Sequence, residues 1–280
     1  MSAYVLRPAS AREADGLWPA VESAHLFNSR AGFEESRAAG AWRVQVTDRG
    51  EGVLLEPWRE HLDVLAIRAI WCGIDRVSSL VEQVMDIAAR QGYGHVLSPL
   101  VTVGVAHAYT RAGMRLHETL VLLKHGGAPL AGGSLAPPEV SLRPAVASDL
   151  SEIADVDSEC FAEFWRYGPA RLSRYLEEEH IIVAHAARGL LGYSLALIMR
   201  NSGTLGRLAV RPAARRQGVG EALARDTLAY LQRAEVATVS LCTQEENLAS
   251  RALYRKLGMT EMSDRLVFLI GPTGCASGQG

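Results

Sequence analysis

The chain repeats itself, and the repeat limits it to a duplicated fold. Leu6-Arg7-Pro8-Ala9 returns as Leu142-Arg143-Pro144-Ala145, each time ahead of an acidic stretch suited to starting a helix. Tyr109-Thr110-Arg111-Ala112-Gly113-Met114 returns as Tyr254-Arg255-Lys256-Leu257-Gly258-Met259. Each copy closes on an apolar strand running to a glycine, 120–123 before Gly126 and 267–270 before Gly271. Matched features in one order at both ends of two segments predict two copies of one domain. A length of 280 residues suits two domains of about 140 residues each. The expected boundaries are 1–126 for the first copy, 127–139 for a Gly/Ala/Pro-rich linker, 140–271 for the second copy and 272–280 for a frayed tail.

The second copy carries a strand, a glycine loop and a helix start in immediate succession. Leu205, Leu208, Ala209 and Val210 supply an apolar strand that Pro212 ends, because proline cannot donate to a ladder. Arg215-Arg216-Gln217-Gly218-Val219-Gly220 follows, and Val219, Leu223, Tyr230 and Leu231 then share one arc of a helix. A helix N-terminus offers free N–H groups and the positive end of a dipole. Without side chains, Gly218 and Gly220 let a phosphate approach that backbone. The loop is no P-loop, lacking Gly-Lys-Ser/Thr, and no Rossmann fingerprint, lacking the third glycine. The physical reading is a pyrophosphate cradle.

This Arg-x-x-Gly-x-Gly after an apolar strand resembles the acyl-CoA signature of the GCN5-related N-acetyltransferase (GNAT) family. A second element resembles that family at the expected distance: Asn247-Leu248-Ala249-Ser250-Arg251-Ala252-Leu253-Tyr254-Arg255-Lys256-Leu257-Gly258-Met259. It reads as a short helix with Asn247 as N-cap, Gly258 as the left-handed residue past its end, and Ala249, Leu253 and Leu257 on one buried stripe. The resemblance implies that acetyl-CoA is the co-substrate. The backbone from Gln217 to Gly220, with Arg215, Arg216 and Val219, would hold its pyrophosphate, and Asn247 would contribute from the second element. The strand Leu208, Ala209, Val210 would pair with the pantetheine arm. The first copy has a matching strand at 64–71 and helix at 76–91 but no such loop between them, so it reads as a degenerate GNAT-like domain, with Tyr109 a packing residue. Such a copy commonly serves either as a wall for the acceptor pocket or as a homodimer surface, and both stay open.

The coarse order of the second copy is strand 140–144, helices 148–157 and 169–179, and strands 181–185, 189–199 and 204–210. A helix over 218–233, a strand over 238–242, a helix over 248–257 and strands at 260–263 and 265–270 complete it. The expected class is α+β, two GNAT-like domains, each a mixed, mostly antiparallel sheet flanked by helices.

Acyl transfer to an amine needs a polarised thioester carbonyl, a neutral amine and a proton for the departing thiolate. A bulge near Val210 would free backbone N–H groups for the carbonyl. The resemblance implies Tyr254 as general acid, a phenol being within reach of a thiolate in proton affinity. For a general base Asp157, Glu159, Glu163, Glu245 and Glu246 stay open, and many relatives' acidic residue on the strand before the cradle is replaced by Arg207. Phe161, Phe164, Trp165 and Tyr167 cluster where relatives place the acceptor wall, with Glu163 and Arg166 as its polar contacts; the bland alternative is a clamp seating the next helix. His180 and His185 read as structural.

Three functions remain open. They are an acetyl-CoA-dependent N-acetyltransferase for a small amine or peptide N-terminus, a tandem acyltransferase resembling mycothiol synthase, and a non-catalytic acyl-CoA sensor. A formal net charge of −2 gives no footprint for nucleic acid or an anionic membrane. Cys72, Cys160, Cys242 and Cys275 are scattered and no histidines pair with them, so neither a metal nor a disulfide framework is expected. The opening residues lack a secretory pattern and no apolar run is long enough for a span, so a cytoplasmic location is expected.

Overall fold

The computed structural model describes residues 4–23, 30–59, 61, 63–126 and 136–274. Residues 127–135 of the expected linker and 275–280 of the expected tail, with Cys275, lie outside the described residues. In the first half the elements are β1 (Arg7–Pro8), α1 (Ala11–Ser23), α2 (Arg30–Ala38), β2 (Val44–Val46), β3 (Gly52–Pro57) and β4 (Val64–Trp71). They continue as α3 (Val77–Arg90), β5 (His95–Leu97), β6 (Val101–Thr102), α4 (Val103–Thr110) and β7 (Arg115–His125). The second half has β8 (Ser141–Pro144), α5 (Leu150–Cys160), α6 (Pro169–Glu178), β9 (His180–Ala186), β10 (Gly189–Met199) and β11 (Ser202–Val210). It ends with α7 (Val219–Arg233), β12 (Thr238–Gln244), α8 (Leu248–Lys256) and β13 (Met259–Pro272). The two expected strands at 260–263 and 265–270 are thus one long strand.

These elements form two compact units that trade their last strands. One is Met1–Thr119 with Asp264–Gly280, and the other is Leu120–Ser263. In the first unit the pairing runs β1, β2, β3, β4, β5, β13, antiparallel except for β4 with β5. In the second it runs β8, β9, β10, β11, β12, β7, antiparallel except for β11 with β12. Each is a mixed, mostly antiparallel sheet flanked by helices, as the sequence predicts. The second copy's last strand therefore completes the first unit, and the first copy's last strand completes the second. The sequence halves do not show this because the two strands are alike in composition and length, so either fills the place beside β5 or β12.

The cores follow the same exchange. Val267 and Leu269 of β13 are buried with Val81, Val84 and Tyr109 in the first unit. Val121 and Leu123 of β7 are buried with Leu228, Leu241, Tyr254 and Leu257 in the second. Leu123 is fully buried, so Leu123→Ala should cost about 2–5 kcal/mol. The loss should fall on the second unit: hydrogen exchange should rise in β12 and α8 and stay unchanged in β4 and β5, and the reverse pattern would contradict the exchange.

Candidate active site

The site begins where two strands part. β11 pairs with β12 only over Ser202–Thr204 and Thr238–Ser240, although β11 runs on to Val210 and β12 to Gln244. β11 stays bonded to β10 as far as Val210 opposite Gly192, and β12 to β7 as far as Gln244 opposite Leu120. Past Thr204 and Ser240, each strand keeps one bonded edge and turns its other edge toward the gap. Such edges carry N–H and C=O groups that need partners.

A bulge sits at the parting. Opposite β10, Arg207 pairs with Leu195 and Leu205 with Ala196, so Gly206 is the extra residue. The bulge lies there and not near Val210. An inserted residue flips the period-2 alternation. Leu205 accordingly packs with Leu228 and Leu231 of α7, whereas Ala209 packs with Ile153, Val156 and Leu172 of α5 and α6. Leu208 and Val210 fall back on the α7 side, against Val219 and Leu223. Gly192 lets β11 and α7 lie close, since a Cβ there would stand 2.5 Å from the Ala209 carbonyl oxygen and 3.2 Å from Leu223 Cδ1.

Between β11 and α7 the loop takes the conformation of an anion nest. Arg216 has φ 63° and Gly218 φ 87°, both left-handed. For a non-glycine residue that conformation costs about 1–2 kcal/mol, and strain of this kind gathers at ligand clamps. Gly218 is the N-cap of α7 and provides no side-chain cap. The N–H groups of Val219, Gly220 and Glu221 precede the first intrahelical bond, which Ala222 N–H makes to Gly218 O at 3.0 Å. The dipole and the open N–H groups together favour an anion.

Loop, strand and α8 enclose a groove of about 670 Å³. Leu208, Ala209, Val210, Arg215, Arg216, Gly218 and Gly220 line one part of it and Asn247 another. Asn247 caps α8, its Oδ1 accepting from Ser250 N–H at 3.1 Å, and Gly258 has φ 81° past the helix end. Two side chains of the loop turn away and leave only their backbone to the groove: Val219 is buried against the sheet, and the Gln217 amide donates to Ala213 O at 2.9 Å. Ala249, Ser250, Ala252, Leu253 and Lys256 of α8 also line the groove. Glu221 ties α7 to α8 through Lys256 Nζ at 2.6 Å and also holds Arg225 at 3.0 Å. The Lys256 ammonium, then Arg225, keeps that carboxyl below its ordinary range.

Tyr254 is not in the groove wall. It is 5% exposed and packs with Leu205 and Leu241, the first residue of each strand beyond the parting. Burial pushes its hydroxyl well above the ordinary phenol value.

Cys160 and Phe161 also line the groove. The Cys160 thiol donates to Val210 O at 3.2 Å, and burial raises its pKa. Glu163, Arg166 and Tyr167 are in the adjoining segment and do not line the groove, though the Arg166 Nε–H spans back to Phe161 O at 3.0 Å. Asp157 is fully buried and accepts from Tyr193 OH at 2.5 Å, Arg207 Nε and Nη2 at 2.8 Å each, and Tyr167 N–H at 2.9 Å. A carboxylate so committed to a guanidinium is no general base, which corrects its candidacy. Glu159 is paired with Arg211, while Glu163 and Glu246 are exposed and the Glu245 carbonyl accepts from Arg251 at 2.6 Å. The sequence showed Asp157 and Arg207 separately, 50 residues apart, with no signal that they meet. His180 stacks on Tyr230 at 3.7 Å between centroids, a packing role as expected.

The first unit keeps the strand geometry without the loop. β4 pairs with β5 only over 64–66 and 95–97, and β4 bulges at Arg68, between Ile67 opposite Leu55 and Ala69 opposite Leu54. Its connection to α3 passes through a short turn at Ile74–Arg76 in which no residue has positive φ. Tyr109 is buried in that unit's core. Among the described residues no acidic, cysteine and histidine group is arranged to hold a metal, and no helix is long and apolar enough to cross a membrane.

A sequence profile of the acetyltransferase (GNAT) family matches residues 150–259, which include the loop, α7, β12 and α8. No curated protein sequence matches the chain. Among solved structures, a tandem GNAT protein from the clavulanic acid biosynthesis pathway is similar over 98% of this chain and 99% of its own, at 17% identity and a TM-score of 0.71. A GCN5-related N-acetyltransferase from Sphaerobacter thermophilus is similar over 96% of this chain and 95% of its own, at 16% identity and a TM-score of 0.64. One from Kribbella flavida is similar over 81% and 88%, at 14% identity and a TM-score of 0.57. At these identities the likeness is one of fold, and in the first two it spans both sequence copies. Residues 150–259 thus match the acetyltransferase (GNAT) family, and the likeness in fold to GNAT structures extends over both sequence copies.

Proposed function

We propose that the chain is an acetyl-CoA-dependent N-acetyltransferase that moves an acetyl group directly to a primary amine while both substrates are bound. The acceptor class is a small-molecule amine or a peptide N-terminus. The second sequence copy, 140–271, is the catalytic domain on this reading, and 1–126 is a degenerate copy without an acyl-CoA loop. The parting of β11 from β12 beside a left-handed, glycine-containing loop carries the proposal. An extended pantetheine arm has amides to meet the open edge of 205–210, and a pyrophosphate meets the free N–H groups at the start of α7. Arg215 and Arg216 add positive charge on the same wall.

The chemistry uses few groups. A neutral amine attacks the thioester carbon, a C–N bond forms, the nitrogen releases its extra proton to water, the C–S bond breaks, and the thiolate takes a proton. Backbone N–H groups of β11 freed beyond Thr204 polarise the carbonyl, a contribution of about 2.7–4 kcal/mol for a preorganised donor. Tyr254 is the proposed proton donor. A phenol is protonated at neutral pH, and Tyr254 follows groove-lining Leu253 in α8. With Asp157 committed to Arg207, the attack is assigned to an amine that arrives neutral. A reading with a second nucleotide site in the first unit is disfavoured by its turn at 74–76, which has no left-handed residue.

Gly220 has room for a methyl group, the nearest atom to a Cβ being Val210 Cγ2 at 3.4 Å. Gly220→Val should leave the circular dichroism spectrum intact and abolish acetyl-CoA binding; unimpaired binding would remove the phosphate assignment. Tyr254→Phe should lower kcat by about 100-fold or more, with the KM for acetyl-CoA within about threefold, measured on the best amine of a screened panel. Equal changes in both constants would make Tyr254 a packing residue, and full activity would leave the proton to another donor.

A further inference from the structure

We propose that the buried Asp157–Arg207 pair is a positioning device that fixes the 161–167 segment, and with it groove-lining Phe161, and so sets how tightly the amine acceptor binds. The inference rests on the acyl-transfer reading of that groove.

The pair is expensive and highly connected. Asp157 is 0% exposed and the Arg207 side chain 6%. Burying two charges costs several kcal/mol per ion, and well-packed hydrophobic residues commonly serve stability as well or better. What a guanidinium adds is a rigid planar fork that fixes its neighbours in direction. Arg207 uses one edge of the fork and both faces of its plane. Nε and Nη2 donate to the two Asp157 oxygens, and Nη2 also donates to Trp165 O at 2.8 Å. The plane lies between two rings, with its central carbon 3.3 Å from the Phe161 centroid and 4.1 Å from that of Tyr167. Asp157 meanwhile receives the Tyr167 N–H and the Tyr193 hydroxyl, whose pKa burial and then the Asp157 charge push well up.

The contacts thus converge on one irregular segment. Residues 161–168 have a single short turn, Glu163–Trp165, as regular structure, yet they are held at Phe161, Trp165 and Tyr167 from one side chain. That side chain belongs to β11 directly before groove-lining Leu208, and Phe161 itself lines the groove. The phosphate loop and the open strand edges account for acyl-CoA. Cys160 sits with Val210 and Arg215 on the acyl-CoA side, whereas Phe161 belongs to neither and is the part of the wall assigned to the second substrate. Arg207 touches no groove volume itself; it acts through Phe161.

The test uses the full chain, acetyl-CoA and whichever amine the unmodified protein acetylates fastest in a panel. Removing one member of the pair strands a buried charge, so the main variant is the double Asp157→Asn/Arg207→Gln, with Phe161→Leu as a second that leaves the pair intact. Both should raise the amine KM by about tenfold or more, with kcat and acetyl-CoA affinity within about threefold. In the double variant hydrogen exchange should quicken at 161–168 alone. Arg207→Lys should not restore the amine KM, because an ammonium lacks the fork. An unchanged amine KM in Phe161→Leu, or acetyl-CoA binding lost in step with amine binding, would overturn the proposal, even if the double variant fails to fold. Failure of the unmodified protein to bind acetyl-CoA would instead refute the acyl-transfer reading, and this inference with it.

Discussion

The structure depends on the hydrogen bonds that β11 and β12 do not make to each other. A parallel pair that stops at Thr204 and Ser240 leaves backbone groups open over 205–210 and 241–244. Each such group costs about 1–3 kcal/mol if it is buried without a partner. The fold can hold that gap because both strands are fixed on their far sides, β11 by β10 and β12 by β7. The bulge at Gly206 sits where the ladder ends, which is where an extra residue can turn side chains over without breaking further pairs. As a result Leu208 and Val210 face α7, while Arg207 faces the 161–167 segment.

The first unit shows which parts of this arrangement belong to the fold and which to the chemistry. Its strands part at the same point of the topology and β4 bulges at the matching place, with Arg68 where the second unit has Gly206. The turn into α3 lacks any left-handed residue, so no nest of N–H groups forms there. Parting is therefore a property of the architecture, and the loop is what makes it a site. Exchange of the last strands links the two units covalently in both directions, with β13 in the first sheet and β7 in the second.

Much of the second unit was legible in sequence because local rules decide it. Gly218 and Gly258 stand at left-handed positions, Asn247 caps α8, and Val219, Leu223 and Leu231 mark the buried arc of α7. What was hidden depends on contacts between distant residues. Nothing local in β7 or β13 says which sheet it joins, since their apolar alternation suits both. The bulge at Gly206 is set by the pairing of β10 with β11, so the sequence placed it too late, near Val210. Asp157 looked like one loop acid among several until Arg207, Tyr193 and Tyr167 N–H were seen to surround it. Tyr254 was legible as a motif residue, but its burial among Leu205, Leu241 and Leu257 follows from how α8 rolls onto the sheet.

On the proposed reading, one copy of the fold, and one alone, binds acyl-CoA. In a calorimetric titration of the full chain with acetyl-CoA, one site per chain is expected. A stoichiometry of two would show that the first unit binds without a glycine loop, and the absence of binding would show that the parted strands are architecture alone.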